Sequence, residues 1–285
     1  KPRLNPFSIA SLMPLIQQLR TMALLQIQTA GGVISYRQSG QGASLVLLHG
    51  IGSASGSWLH QLQDAPAGHQ VLAWDAPGYG QSQHLSQDQP SARDYAVRLW
   101  QWLDAVSLHP GPITLVGHSL GALMAAAAAQ MRPQSVAQLV LLSPAQGYGQ
   151  ASAEIREAKL NDRLAMLAQW GPIGLAKERG KAMLSAHAKP DQLSHVQHLM
   201  AAIDPRGYTQ AAHMLAHDDL LQRLSGLTCP IRVASGSADT ITPQASCQAL
   251  AKALGCPHWS LGDVGHACAI EAPEAVLKAI IGVQP

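Results

Sequence analysis

Aromatic side chains are scarce in this chain, with one Phe, five Tyr and six Trp in 285 residues. A large core must therefore be built from Leu, Ala, Val and Ile. Charged residues make up only 13% of the sequence, net charge is +2, and Lys and Arg occur singly. That distribution lacks the basic footprint of a nucleic-acid partner and the polybasic patch of a membrane-surface protein. Cysteine is sparse too. Cys229, Cys247, Cys256 and Cys268 show no CxxC spacing, so no metal site is expected, and reduced, buried thiols in a cytoplasmic protein are. No stretch of roughly 18 apolar residues exists to span a membrane.

Near the N-terminus, Pro14, Gln17, Gln18 and Arg20 interrupt any signal-like hydrophobic run. Residues 1–23 are expected to be an appendage, with Met22 a candidate natural start. The remaining length allows one large α/β domain or a core with an insertion.

Alternation in Leu25–Thr29 and Val33–Arg37 around Ala30-Gly31-Gly32 predicts an edge hairpin. Continuous apolar runs at Ser44–Leu48, Gln70–Trp74, Pro112–Val116, Gln138–Leu142 and Pro230–Ala234 predict strands buried on both faces of a parallel sheet. His258–Leu261 is expected to be the last strand. Helical patterns lie between them at Ala92–Ser107, Leu120–Met131, Pro243–Leu254 and Pro273–Ile281. The alternation implies an α/β fold with a mostly parallel central sheet covered on both faces. Residues 146–216 break the pattern. They hold amphipathic helical segments such as Glu154–Trp170 and Pro190–Ile203, and are expected to form a helical cap between core parts 24–145 and 217–285.

The chemistry concentrates at Gly117-His118-Ser119-Leu120-Gly121, set between an apolar strand and an alanine-rich helix. Gly-x-Ser-x-Gly in that context is the pattern of a nucleophile elbow, with both glycines making room for a sharp turn. A serine needs activation, so a base, an acid and oxyanion donors are expected elsewhere. His49-Gly50-Ile51-Gly52 follows the first buried strand and can aim the Ile51 N–H beside that of Leu120, a two-donor oxyanion hole. His266, in Gly262–His266 after the last strand, is the expected base. Asp239, on the loop after Pro230–Ala234, is the expected acid. The order Ser119, Asp239, His266 is that of this elbow's triad. Rival readings are structural: His49 holds loop backbone, His118 precedes the elbow serine and points away from its hydroxyl, Asp75 orders a turn, Asp263 shapes the loop before His266, and Cys268 packs.

Taken together, His49–Gly52, Asp75–Gly80 with Ser82, Ser119, Asp239 and His266 resemble the α/β-hydrolase superfamily, from about Leu24 to the C-terminus. The resemblance implies a cofactor-free serine hydrolase. Ser119 sets it apart from epoxide hydrolases and haloalkane dehalogenases, which carry aspartate at the elbow. Asp204–Thr209 and Asp218-Asp219-Leu220 are similar to the cap exit of 3-oxoadipate enol-lactonases and related small esterases. The leading expectation is thus cleavage of an ester or lactone of a small, largely apolar or aromatic-pathway substrate through an acyl-enzyme. Carbon–carbon bond hydrolases of meta-cleavage products share the core and are the alternative, although they commonly carry tryptophan where Ala267 stands. A cap arginine matters in that group, and Arg156, Arg163 and Arg179 are candidates without an assignment. A small-molecule receptor on the same fold is a minor alternative. The expected cap pocket draws on Leu164, Met166, Leu167, Trp170, Met183, Leu184 and Met200. Oligomeric state stays open, a homodimer included.

Overall fold

A computed structural model describes residues 14–285. Most of the expected appendage, residues 1–13, lies outside the described residues. Next to it, helix α1 (Leu15–Thr21) buries Leu15 and Leu19 against Leu59, Val196, Leu199 and Ile270, so this stretch packs onto the fold.

The hairpin is strands β1 (Leu25–Thr29) and β2 (Gly32–Gly40). There follow β3 (Ala43–Leu48), α2 (Leu59–Gln63), β4 (His69–Trp74), α3 (Ala92–Ala105), β5 (Ile113–His118), α4 (Gly121–Met131) and β6 (Val136–Leu142). After a long helical interval come β7 (Ile231–Ser235) and β8 (His258–Ser260). Among the described residues these eight strands form one sheet in the order β1-β2-β4-β3-β5-β6-β7-β8. β2 pairs antiparallel with β1 and β4, and the remaining pairs are parallel. The chain therefore has the α/β-hydrolase type of fold expected from its sequence.

The apolar runs are continuous because each strand serves two cores. Successive side chains of a strand point to opposite faces. Val46, Leu48, Leu72 and Trp74 accordingly pack with Leu99, Trp102 and Leu123 from α3 and α4. Their neighbours Leu45, Leu47, Val71 and Ala73 pack instead with Trp58, Val276, Ala279 and Ile280. The last three lie on the closing helix, Pro273–Ile281.

Between β6 and β7 the regular structure is helical: α5 (Ala153–Arg179), α6 (Pro190–Ala201), α7 (Pro205–His217) and α8 (Leu220–Leu224). The expected helix over 154–170 is the first half of α5. Gly171 breaks it with φ 60° and ψ 180°, and Pro172 starts the second half, where its missing N–H costs nothing. Asp218 ties the end of this region to the core. Its carboxylate takes a two-pronged Arg223 contact at 2.8 and 3.1 Å and accepts from the Ala92 N–H at 3.0 Å, at the start of α3.

His195 of α6 is buried and its Nε2 donates to the Gly56 carbonyl at 2.9 Å. Burial lowers its pKa from 6.5 to about 4. The folded state thus holds His195 neutral, while the unfolded chain takes up a proton as pH falls below 6.5. Acidification from pH 7 to 5 is expected to cost about 2 kcal/mol through this residue. Urea titrations at the two pH values check this. His195→Gln, which cannot titrate, should flatten the dependence by a similar amount.

Candidate active site

Parallel register brings the key loops together. Leu48 lies opposite Gly117, His118 opposite Leu142, and Leu142 opposite Ala234. The loops after β3, β5, β6 and β7 therefore leave the sheet along one carboxyl edge, where open α/β sheets bind ligands. Ile51, Ser119 and Asp239 all sit on that edge.

At the elbow, Ser119 has φ 52°, a left-handed conformation unusual for a residue with a side chain. Such a conformation costs about 1–3 kcal/mol and persists only when its surroundings enforce it. Those surroundings are visible. The Ser119 N–H bonds the Leu142 carbonyl at 3.0 Å, and the Ser119 carbonyl accepts from the Ala122 and Ala145 amides at 3.1 Å each. A Cβ on Gly117 would lie 2.6 Å from the Ala122 Cα, and one on Gly121 would lie 2.4 Å from the Leu48 carbonyl oxygen. Both glycines are thus required by close approach of strand, turn and helix.

His266 and Asp239 meet through Nδ1 and Oδ2 at 2.9 Å, with both side chains buried. Four groups address the carboxylate. The Ile241 and Thr242 amides donate to Oδ1 at 2.9 Å each, and the Thr242 hydroxyl and His266 Nδ1 approach Oδ2. Burial alone raises the Asp239 pKa, but the bonds from His266 and the Thr242 amide outweigh it and leave the carboxyl far below its ordinary range. Asp239 is ionised, and it presents to His266 a fixed acceptor that leaves the proton on Nδ1 and Nε2 free.

The amides of Ile51 and Leu120 find no acceptor among the described residues. Leu120 is the N-cap of α4, where helical N–H groups have no partner within the helix. Ile51 is held from behind, since its carbonyl accepts from the buried Tyr79 hydroxyl at 2.9 Å.

A cavity of about 360 Å³ opens over these groups and is lined by Ile51, Ser119, Leu120 and His266. Its outer wall comes from the helical interval. Met166, Met183 and Met200 line it as the sequence suggested, together with Leu175, Leu199 and Leu215. Leu164, Leu167, Trp170 and Leu184 do not line it and pack within the neighbouring apolar clusters.

The rivals occupy structural positions. His49 accepts from the Ala76 N–H at Nε2 (3.0 Å) and contacts the Gly50 carbonyl through Nδ1 (2.8 Å), and burial depresses its pKa. Asp75 accepts from the Ser55 N–H and the Ser35 hydroxyl, at 2.8 and 2.6 Å. Asp263 is exposed and faces His187 at 3.3 Å, not His266. Burial pushes the Cys268 thiol up to about 12, so it is an inert neutral group, and all four cysteines are unpaired.

His118 has a less bland position than expected. Its Nε2 donates to the carbonyl of His266 at 2.7 Å, and burial lowers its pKa to about 3. It therefore stays neutral and pins the backbone of His266, the expected base. Thr242 and Tyr79 escaped the sequence reading. Thr242 stands three residues after Asp239 in an Asx-type turn, a local signal that was available. Tyr79 acts across the fold on Ile51, and no local pattern reports it. Among the described residues, no helix is long and apolar enough to cross a membrane, and no cluster of His, Cys, Asp or Glu could hold a metal.

With this geometry in view, the similarities to known proteins are informative. A curated relative, (E)-2-((N-methylformamido)methylene)succinate hydrolase of Acinetobacter baylyi, is 26% identical over 264 residues, covering 92% of this chain and 96% of its own. An esterase from Thermogutta terrifontis superposes with a TM-score of 0.80 at 24% identity, covering 91% of this chain and 97% of its own. The enol-lactonase of Burkholderia xenovorans gives 0.78 at 20% identity, covering 90% and 98%. Residues 40–264 match the family described as serine aminopeptidase, S33. The chain belongs to that family and is an α/β hydrolase.

Proposed function

We propose that this α/β hydrolase is a cofactor-independent serine hydrolase that cleaves a carboxylic ester or lactone of a small, largely apolar substrate. Residues 146–216 act as a helical cap over core parts 24–145 and 217–285. One observation carries the reading. Ser119, His266 and the Ile51 and Leu120 amides open on one cavity, while Asp239 holds His266 from behind. The esterase and enol-lactonase likenesses support the fold side of the reading and leave the substrate to the cavity.

In the first half-reaction His266 Nε2 takes the Ser119 proton as Oγ attacks the carbonyl carbon. The Ile51 and Leu120 N–H groups receive the charge that develops on the carbonyl oxygen. His266 then returns the proton to the departing alkoxide, which leaves as the alcohol, or stays tethered when the substrate is a lactone. Water, deprotonated by His266, attacks the acyl-enzyme, and the acid and Ser119 hydroxyl are released. Asp239 stabilises the imidazolium in both halves. The apolar wall of Met166, Leu175, Met183, Leu199, Met200 and Leu215 favours a hydrocarbon-rich substrate body.

Ser119→Ala is expected to lower kcat/KM on short esters by at least about 10⁴-fold with the melting temperature retained. A fluorophosphonate probe should label Ser119 in the parent protein and not in the variant. Full activity in Ser119→Ala would sink the nucleophile assignment. A panel of short esters, enol-lactones and meta-cleavage products, assayed side by side, should show turnover of the first two classes and none of the third.

Thr242→Val removes one hydroxyl from Asp239 and His266 while keeping the side-chain shape. A single such bond contributes about 1 kcal/mol, so turnover should fall about five- to tenfold. Thr242→Ser should restore most of it. Steady-state kinetics on one ester separate these outcomes.

A further inference from the structure

His266 sits on a loop that the helical interval grips from outside the sheet. On one side of it, the Gly265 N–H donates to Glu271 Oε2 at 2.9 Å. On the other, the Ala267 N–H donates to the Met183 carbonyl at 2.7 Å. Glu271 ends the short helix Cys268–Glu271 that follows this loop. Its carboxylate also accepts from the Ser185 N–H at 3.0 Å and from the Ser185 hydroxyl. One half-buried carboxylate therefore joins the loop that carries His266 to Ser185 of the interval.

The two segments run in close contact. A Cβ on Gly265 would lie 2.6 Å from the Leu184 carbonyl carbon and 2.7 Å from the Ser185 nitrogen, so glycine is needed there for the approach. The start of α6 reaches the same short helix, since Gln192 Nε2 donates to the Ile270 and Glu271 carbonyls at 3.1 and 3.3 Å. Asp239 holds the ring of His266 at Nδ1, and His118 holds its carbonyl. Neither holds the flanking amides of Gly265 and Ala267. Those are taken by Glu271 and by Met183, which lies on the cavity wall. Hydrogen bonds to a carboxylate are shorter and stronger than neutral ones, and a catalytic group misplaced by about 1 Å loses about 10²-fold in rate.

We propose that Glu271 is a positioning residue for His266, and that Glu271 and Ser185 form a bridge through which the helical interval sets the place of the base. This deepens the serine-hydrolase reading and rests on it. The segment that walls the cavity at Met183 then also holds, two residues on, the loop of the group that moves the proton. A ligand that displaces residues 183–185 displaces the base as well.

Steady-state kinetics of the full chain on one short ester test the bridge. Glu271→Ala is expected to lower kcat by about 10- to 100-fold while KM changes less than about threefold. Glu271→Gln should recover most of the loss, because its carbonyl oxygen can still accept both amides and its amino group faces a hydroxyl that can accept. Ser185→Ala removes the hydroxyl alone and should lower kcat by about threefold or more. Adding Ser185→Ala to Glu271→Ala should cost nothing further, since both act through one link. Parent-level kcat in Glu271→Ala or in Ser185→Ala overturns the proposal, and so does a Gln variant as impaired as the Ala variant. Where Glu271→Ala fails to fold, Ser185→Ala and Glu271→Gln still decide. The downfield Nδ1–H proton resonance of His266, identified by its loss in Asp239→Asn, gives a readout independent of turnover. It should move upfield in Glu271→Ala and return in Glu271→Gln, and an unmoved resonance refutes the bridge. Should Ser119→Ala retain turnover, the serine reading fails by itself, and this resonance still decides whether Glu271 positions His266.

Discussion

Everything at this site depends on how closely β5, the Ser119 turn and α4 approach one another. A methyl group at Gly117 or Gly121 would fall within 2.6 Å of backbone atoms, far inside contact distance. With no Cβ at either position, the chain reverses in a turn short enough to hold Ser119 at φ 52°. The same closeness leaves the Leu120 N–H at the helix start without a partner among the described residues, in a residue that lines the cavity. A wider turn would relax the serine, and it would also move the proposed oxyanion donor away from it. The alanine run of α4 extends this logic. Small side chains let the helix lie flat on β5 and β6, so strain at the turn is opposed by burial along the helix.

Electrostatics divides the site into a quiet half and a responsive half. Asp239 is kept ionised against its burial because two amides, a hydroxyl and His266 converge on it. His49 and His118 are held neutral by burial, His49 with both ring nitrogens on backbone groups and His118 with Nε2 on the His266 carbonyl. Within the proposed machinery His266 is the histidine held by a carboxylate, through Nδ1 on Asp239. A second protonatable imidazole beside it would compete for the Ser119 proton, and the low pKa of His118 removes that competitor without removing its structural bond to His266.

The fold was largely legible because its signals are local. Buried parallel strands read as continuous apolar runs, and Gly-x-Ser-x-Gly between a strand and a helix has a steric meaning that any chain must obey. Asp239 and His266 were reachable from chain order and strand position. Tyr79 was not, since its bond to Ile51 spans elements that only tertiary packing brings together. The second half of α5 was hidden for a different reason. Gly171-Pro172 reads as a helix stop, and it is one in backbone terms, but a further helical stretch begins at once with Pro172 in its first turn. Side chains on the apolar face of the first half were equally ambiguous. Helical spacing assigns Met166 and Trp170, four residues apart, alike to a buried stripe, while only the former reaches the cavity.

That ambiguity marks where chemistry and selectivity separate in this protein. The groups proposed to make and break bonds all come from loops at one sheet edge, where register fixes them to a fraction of a residue. The groups that shape the cavity come from helices held by a few polar anchors: Asp218 with Arg223 and the start of α3, Asp204 with His84 at 2.7 Å, and Gly207 pressed against Gly78. Together with His195 of α6 on the Gly56 carbonyl, these anchors tie the interval to loops and helix starts of the core and not to the sheet strands themselves. Methionines at three cavity positions add adaptable, unbranched surface there. Substitutions within the interval can therefore change what fits without disturbing how Ser119 is held, whereas the elbow tolerates no side chain at its two glycines.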